Sequence, residues 1–135
     1  MPINGGSVIT GATGVAYTGG SYLALSADGV VVPNGIHVSA MSQDDFRTRE
    51  HATFKNRNPS LNPLTGEWTK SKREAVYVVP TVDAVTGKTV FNTVRQTIEA
   101  HPSLTAAQRL DLQFKASTLL LGDSYLPFWS TGNLG

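Results

Sequence analysis

The stretch Phe46-Arg47-Thr48-Arg49-Glu50-His51-Ala52-Thr53-Phe54-Lys55-Asn56-Arg57 alternates with a period of two, and one side of the alternation is basic. In an extended strand, successive side chains point to opposite faces. Arg47, Arg49, His51, Thr53, Lys55 and Arg57 then share one face, and Phe46, Thr48, Glu50, Ala52 and Phe54 share the other. The second set suits burial, with Glu50 its discordant member. The first is a row of cations and donors spaced about 6–7 Å apart. Like charges held so closely repel unless an anion lies across them, and nucleic-acid phosphate is such an anion. A solvated strand face would carry the same residues, so the row alone leaves both readings open.

Working outward, more strands flank this one. Upstream, Pro33-Asn34-Gly35 is a turn signal and residues 36–41 alternate Ile36, Val38 and Ala40 against His37, Ser39 and Met41. Downstream, residues 56–66 are dense in Asn, Pro and Gly and read as a loop. A second long strand is predicted over 67–79, ending at Pro80, with Trp68, Lys70, Lys72, Glu74, Val76 and Val78 on one side. Antiparallel pairing through the loop places Lys70 and Lys72 beside the basic row. After a turn at Val85-Thr86-Gly87-Lys88, residues 89–100 alternate Val90, Val94 and Ile98 against Phe91, Thr93, Arg95 and Thr97. The N-terminal 35 residues are Gly-rich. They predict strands at 7–10 and 15–18 around Thr10-Gly11-Ala12-Thr13-Gly14, a break at Gly19-Gly20-Ser21, then short strands at 22–26 and 30–32.

The period changes after His101-Pro102. Thr105-Ala106-Ala107-Gln108 is a capping box, and Ala107, Leu110, Phe114, Ser117 and Leu121 recur at helical spacing up to Gly122, a C-terminal stop. A shorter helical segment follows from Asp123 to Gly132, with Pro127 in its first turn and Phe128 and Trp129 behind it. Strands followed by helices predict an α+β domain with an antiparallel sheet. It spans 1–135 as one unit, with a hairpin and N-terminal strands over 1–35, the main sheet over 36–101 and two helices over 104–132. A helix of roughly 16 residues is about 24 Å long, too short to cover such a sheet. The economical arrangement is a homodimer in which each subunit's helices cover its partner's sheet, with Leu110, Phe114, Leu121, Phe128 and Trp129 at the seam.

Composition fits a lightly charged globular chain. Of 135 residues, 16% are charged and the net charge is +1, which by itself does not suggest nucleic-acid binding. The distribution does: no Lys or Arg precedes Arg47, and seven of eleven lie between Arg47 and Arg73. Cysteine is absent, which excludes disulfides, a thiolate nucleophile and Cys-type zinc sites. The N-terminus lacks the basic and apolar regions of a signal peptide, and no apolar run approaches the ~20 residues that span a bilayer, so a cytosolic protein with no membrane partner is expected. His37, His51 and His101 are widely separated with no evident carboxylate partner, and no G-x-S-x-G appears. No catalytic residue, metal or cofactor is read, and Gly11-Ala12-Thr13-Gly14 is a hairpin turn rather than a phosphate loop. Trp68 and Phe91 on the polar side are placed either to stack on bases or to pack against loops.

The order of strands, the basic strand at 47–57, the strand ending at Pro80, and the last strand running straight into a capped helix and a short final helix resemble the coat proteins of single-stranded RNA bacteriophages of the levivirus type. The resemblance extends from about Gly35 to the C-terminus. It implies an N-terminal hairpin, a five-stranded antiparallel sheet and two C-terminal helices that interlock with a dimer partner. It further implies an icosahedral shell of such dimers around genomic RNA, assembled in the host cytoplasm, with the sheet turned towards the RNA and able to repress translation through a stem-loop. Carried over by position, Arg47, Arg49, His51, Thr53, Lys55, Lys70, Lys72, Thr93, Arg95 and Thr97 face the RNA. The loop at 81–88 then corresponds to the one that meets symmetry mates. The alternative is a dimeric single-stranded nucleic-acid-binding protein or translational repressor that does not assemble; an OB-type barrel is disfavoured by the terminal helices.

Overall fold

The alternating stretches form a single five-stranded antiparallel sheet in a computed structural model that describes residue 3, residues 5–13 and residues 18–134. The elements are β1 (Ser7–Thr13), β2 (Thr18–Ala24), β3 (Ser26–Ala27), β4 (Gly35–Ser39), β5 (His51–Arg57), β6 (Ser71–Val82), β7 (Thr89–Ala100), α1 (Ala106–Leu121) and α2 (Leu126–Thr131). β1 and β2 pair as a separate hairpin, and β3 to β7 lie side by side in chain order. The expected hairpin, five-stranded sheet and two helices are all present.

The core lies between that hairpin and one face of the sheet. Leu25, Val38, Ala40 and Ala52 are buried, and Val8, Leu23, Ile36, Phe54 and Tyr77 pack against them. Val38, Ala52 and Phe54 occupy the apolar phase of the alternation, so its phase within β4 and β5 is correct. Ala100 and Ser71 are buried at the far end, where the Ser71 hydroxyl donates to the Ala100 carbonyl at 3.1 Å.

Several boundaries differ from the sequence reading. The strand expected from Phe46 begins only at His51. Residues 46–48 form a turn in which the Asp45 side chain accepts from the Arg47 amide at 3.0 Å and the Asp45 carbonyl from Thr48. β6 does not stop at Pro80 but runs through it to Val82. The predicted strand at 30–32 is a loop instead, because Asp28 accepts the Val30 amide at 3.1 Å and turns the chain. β1 continues to Thr13 through most of the predicted turn, while 15–17 lie outside the described residues. Gly19 and Gly20 do not break the hairpin but sit within β2 at φ 75° and 74°, a backbone glycine takes without steric cost.

Both halves of the capping box are made: Gln108 N donates to Thr105 Oγ1 at 3.2 Å, and Thr105 N to Gln108 Oε1 at 2.9 Å. Gly122 ends α1 without the left-handed turn expected of it, at φ −63°. The left-handed stop belongs to Gly132, which closes the shorter α2. Trp129 Nε1 donates to the Leu119 carbonyl at 2.7 Å and ties α2 back to α1. No residue of either helix is buried.

Candidate nucleic-acid interface

Register decides which side chains share the second face of the sheet, because residues directly opposite across a strand pair point the same way. Running across β5, β6 and β7, Arg57, Lys72 and Glu99 form one row, and Lys55, Glu74 and Thr97 the next. Thr53, Val76 and Arg95 follow, then His51, Val78 and Thr93. Neighbouring rows are about 6–7 Å apart and neighbouring strands about 4.8 Å. This is the face opposite the one that buries Val38 and Ala52. It gathers Lys55, Lys72, Arg95, His51, Thr53, Thr93 and Thr97 from three strands.

Its electrostatics differ from the simple basic row. Lys55 stands opposite Glu74, and Lys72 opposite Glu99, so four strand cations are interleaved with two carboxylates. Glu99 joins this face in addition to the residues expected from the sequence, since the period of β7 places it in phase with Arg95 and Thr97. Thr97 Oγ1 donates to Glu74 at 3.4 Å. Among the described residues, Lys55, Lys72 and Arg95 make no ion pair. The positive charge concentrates at one end, where Arg57 opposes Lys72 and donates to the Lys70 carbonyl at 3.3 Å. Lys70 itself is exposed and lies just ahead of β6.

Arg47 and Arg49 are not on the strand. Arg47 pairs with Asp45 at 3.5 Å on the surface, and the Arg47 amide is the main cause holding the Asp45 carboxyl below its usual range. Arg49 Nε donates to the Gln43 carbonyl at 3.0 Å, and its guanidinium lies 5.7 Å from the centre of the Phe46 ring. The turn nevertheless brings both arginines to a groove of about 610 Å³ that also holds His51 and Phe91. Phe91 is 66% exposed opposite Pro80 on the same face, whereas Trp68 belongs to the loop after β5, bridged to Leu61. Glu50 is accommodated by a reciprocal pair: Gln43 Nε2 donates to its carboxylate at 2.8 Å, and its own amide donates to Gln43 Oε1 at 2.8 Å.

The residues read as a helical seam are largely uncovered. Leu110, Phe114, Phe128 and Trp129 are exposed, Phe114 by 63%, while Leu121 is half-buried. A second groove, of about 450 Å³, opens on the apolar face of the sheet between Ile36, Phe54, Ala75 and Ile98.

No family model matches the chain, and no curated protein sequence does. Solved structures do. A chain from the virus-like particle of bacteriophage GQ-907 is 41% identical over 99% of this chain and 100% of that one, with a TM-score of 0.82. A chain from the virus-like particle of Beihai levi-like virus 21, 15% identical over 98% of this chain and 97% of that one, has a TM-score of 0.69. One from bacteriophage AVE019, 10% identical over 95% of each, also reaches 0.69. The last two share the fold; the first, at its identity over the whole of both chains, places this chain among the coat proteins of the levi-like RNA bacteriophages, as a capsid protein.

Proposed function

We propose that this coat protein forms homodimers that close into an icosahedral shell around single-stranded RNA, with the β5–β6–β7 face turned inward. The observation that carries the reading is the segregation of the two sheet faces: one holds the core, and the other collects Lys55, Arg57, Lys72 and Arg95 with the hydroxyls of Thr53, Thr93 and Thr97. Cations of this kind attract phosphate, and the threonine hydroxyls suit sugar or base edges. The dimer is supported by three features that a single chain leaves open. β7 is a twelve-residue strand at the edge of the sheet, an edge that proteins pair or protect. The groove beside Phe54 and Ile98 suits an apolar helix, and α1 and α2 present Leu110, Phe114, Phe128 and Trp129 to meet one. A dimer that binds RNA without assembling is disfavoured by membership of a capsid family.

The test is the RNA content of purified particles. Lys72→Glu and Arg95→Glu are expected to lower co-purified RNA several-fold, read as the ratio of ultraviolet absorbance of nucleic acid to protein, while dimers still form. Wild-type RNA content in both variants would make the face an ordinary solvated surface.

A further inference from the structure

The groove beside His51 contains a histidine pair that neither shell formation nor phosphate attraction explains. His37 of β4 and His51 of β5 have ring centres 5.1 Å apart, with planes inclined by 32°. His37 Nδ1 lies 2.7 Å from the Asp28 carboxylate, and those side chains are only 15% and 14% exposed. A carboxylate accepts, so Nδ1 of His37 carries the proton. His51 Nδ1 is 3.4 Å from the Arg49 carbonyl, which also can only accept. In both rings Nε2 is therefore the position at which a second proton is gained or lost.

The charges around the pair are asymmetric. The β3–β4 connection supplies Asp28, the only carboxylate among the described residues that line the groove. The 41–50 turn supplies Arg47 and Arg49, whereas β6 and β7 offer the uncharged Pro80, Thr89 and Phe91. Asp28 faces His37 and Asp45 pairs with Arg47, and among the described lining residues no carboxylate faces Arg49 or His51, which leaves that end of the groove open to an anion.

We propose that this groove is a proton-coupled nucleotide site: it takes a phosphate of single-stranded RNA on Arg47, Arg49 and the His37–His51 pair, and holds it more tightly as the pair protonates. Phe46 and Phe91 are aromatic surfaces within the same groove on which the attached base stacks. Linkage fixes the sign. A phosphate that favours the imidazolium form is favoured by it equally, so binding takes up protons and strengthens as pH falls through the histidine range. The proposal rests on the reading of this sheet face as RNA-facing and adds its regulation.

The experiment titrates a labelled short single-stranded oligonucleotide against the full-length protein at fixed ionic strength, at about pH 7.5 and about pH 5.5, either side of the ordinary histidine range. Affinity is expected to rise about tenfold at the lower pH. Calorimetry in buffers of different ionisation heat is expected to register proton uptake on binding. His51→Gln is expected to abolish both effects, and His101→Gln, outside the groove, to preserve both together with the affinity of the higher pH. Binding that ignores pH, takes up no proton, or keeps its pH dependence in His51→Gln overturns the proton-coupled site and leaves the RNA-facing reading intact. Absence of binding at either pH removes both.

Discussion

At Glu50 a carboxylate stands in the apolar phase of the alternation, and its position is made tolerable by Gln43, seven residues earlier, which both donates to it and accepts from its amide. Nothing in the local pattern announces that pair, because it is created by the turn that folds 43 back onto 50. The same carboxylate has a second consequence. Tyr77 packs against the core cluster with its hydroxyl buried near the Glu50 carboxylate and, among the described residues, without a hydrogen-bond partner of good geometry. Burial first, and then the negative charge of Glu50, push that phenol up to about 12. An unpaired buried hydroxyl contributes desolvation cost without a compensating bond. Tyr77→Phe is therefore expected to leave stability within ~0.5 kcal/mol of the parent or to raise it. A urea titration that instead finds a loss above ~1.5 kcal/mol would assign the hydroxyl a bond in the folded protein. His37 has a carboxylate partner that the sequence does not announce, Asp28, nine residues away. Burial of Asp28 alone would raise its carboxyl, but the Val30 amide and His37 together hold it below the usual range.

Elements were legible wherever the period was long and the end signals were chemical. β7 and α1 match the expected spans because twelve alternating residues and a complete capping box leave little freedom. Ends are less legible where a single residue marks them. Pro80 reads as a terminator, since it cannot donate to a ladder. β5, however, pairs with β6 only as far as Val78, so beyond that point β6 has a neighbour on one side alone and tolerates a proline. At the start of β5 the alternation of 46–50 is genuine, but Asp45 captures the next amides and turns the chain before pairing begins. The site divided along the same lines. Thr53, Lys55, Lys72, Thr93, Arg95 and Thr97 follow from phase and share one face, whereas Arg47 and Arg49 reach the groove through a turn that alternation does not describe. The capping box gives the element its own test. Thr105→Ala removes the acceptor for Gln108 N and is expected to cost about 1 kcal/mol, with Thr105→Asn restoring most of it. Equal losses in both variants, measured by chemical denaturation, would mean that Thr105 acts through packing rather than as a cap.

For the whole molecule, area is the decisive quantity. A folded monomer of 14.4 kDa exposes about 6,800 Å² by the usual scaling with mass. This chain exposes 9785 Å². The excess, about 3,000 Å² per chain and so about 6,000 Å² for two, is in the range of obligate interfaces rather than transient ones. It is concentrated where the fold is thinnest: helices with no buried residue, the uncovered part of the sheet around Val90 and Val94, and the tips of loops at Leu64 and Val85. The N-terminal hairpin covers the β4–β5 half of the apolar face and leaves the β6–β7 half open, the half that the proposed dimer partner would cover. In the proposed homodimer such a subunit folds together with its partner, so unfolding releases two chains. Stability measured on dimers freed from particles is expected to rise by about 1.4 kcal/mol for each tenfold increase in protein concentration. Equilibrium denaturation over a concentration series, with mass determined by light scattering at each point, provides the measurement. A midpoint independent of concentration, together with a monomeric mass, would show that the exposed helices need no partner and would leave their apolar surface for contacts between subunits of the closed shell.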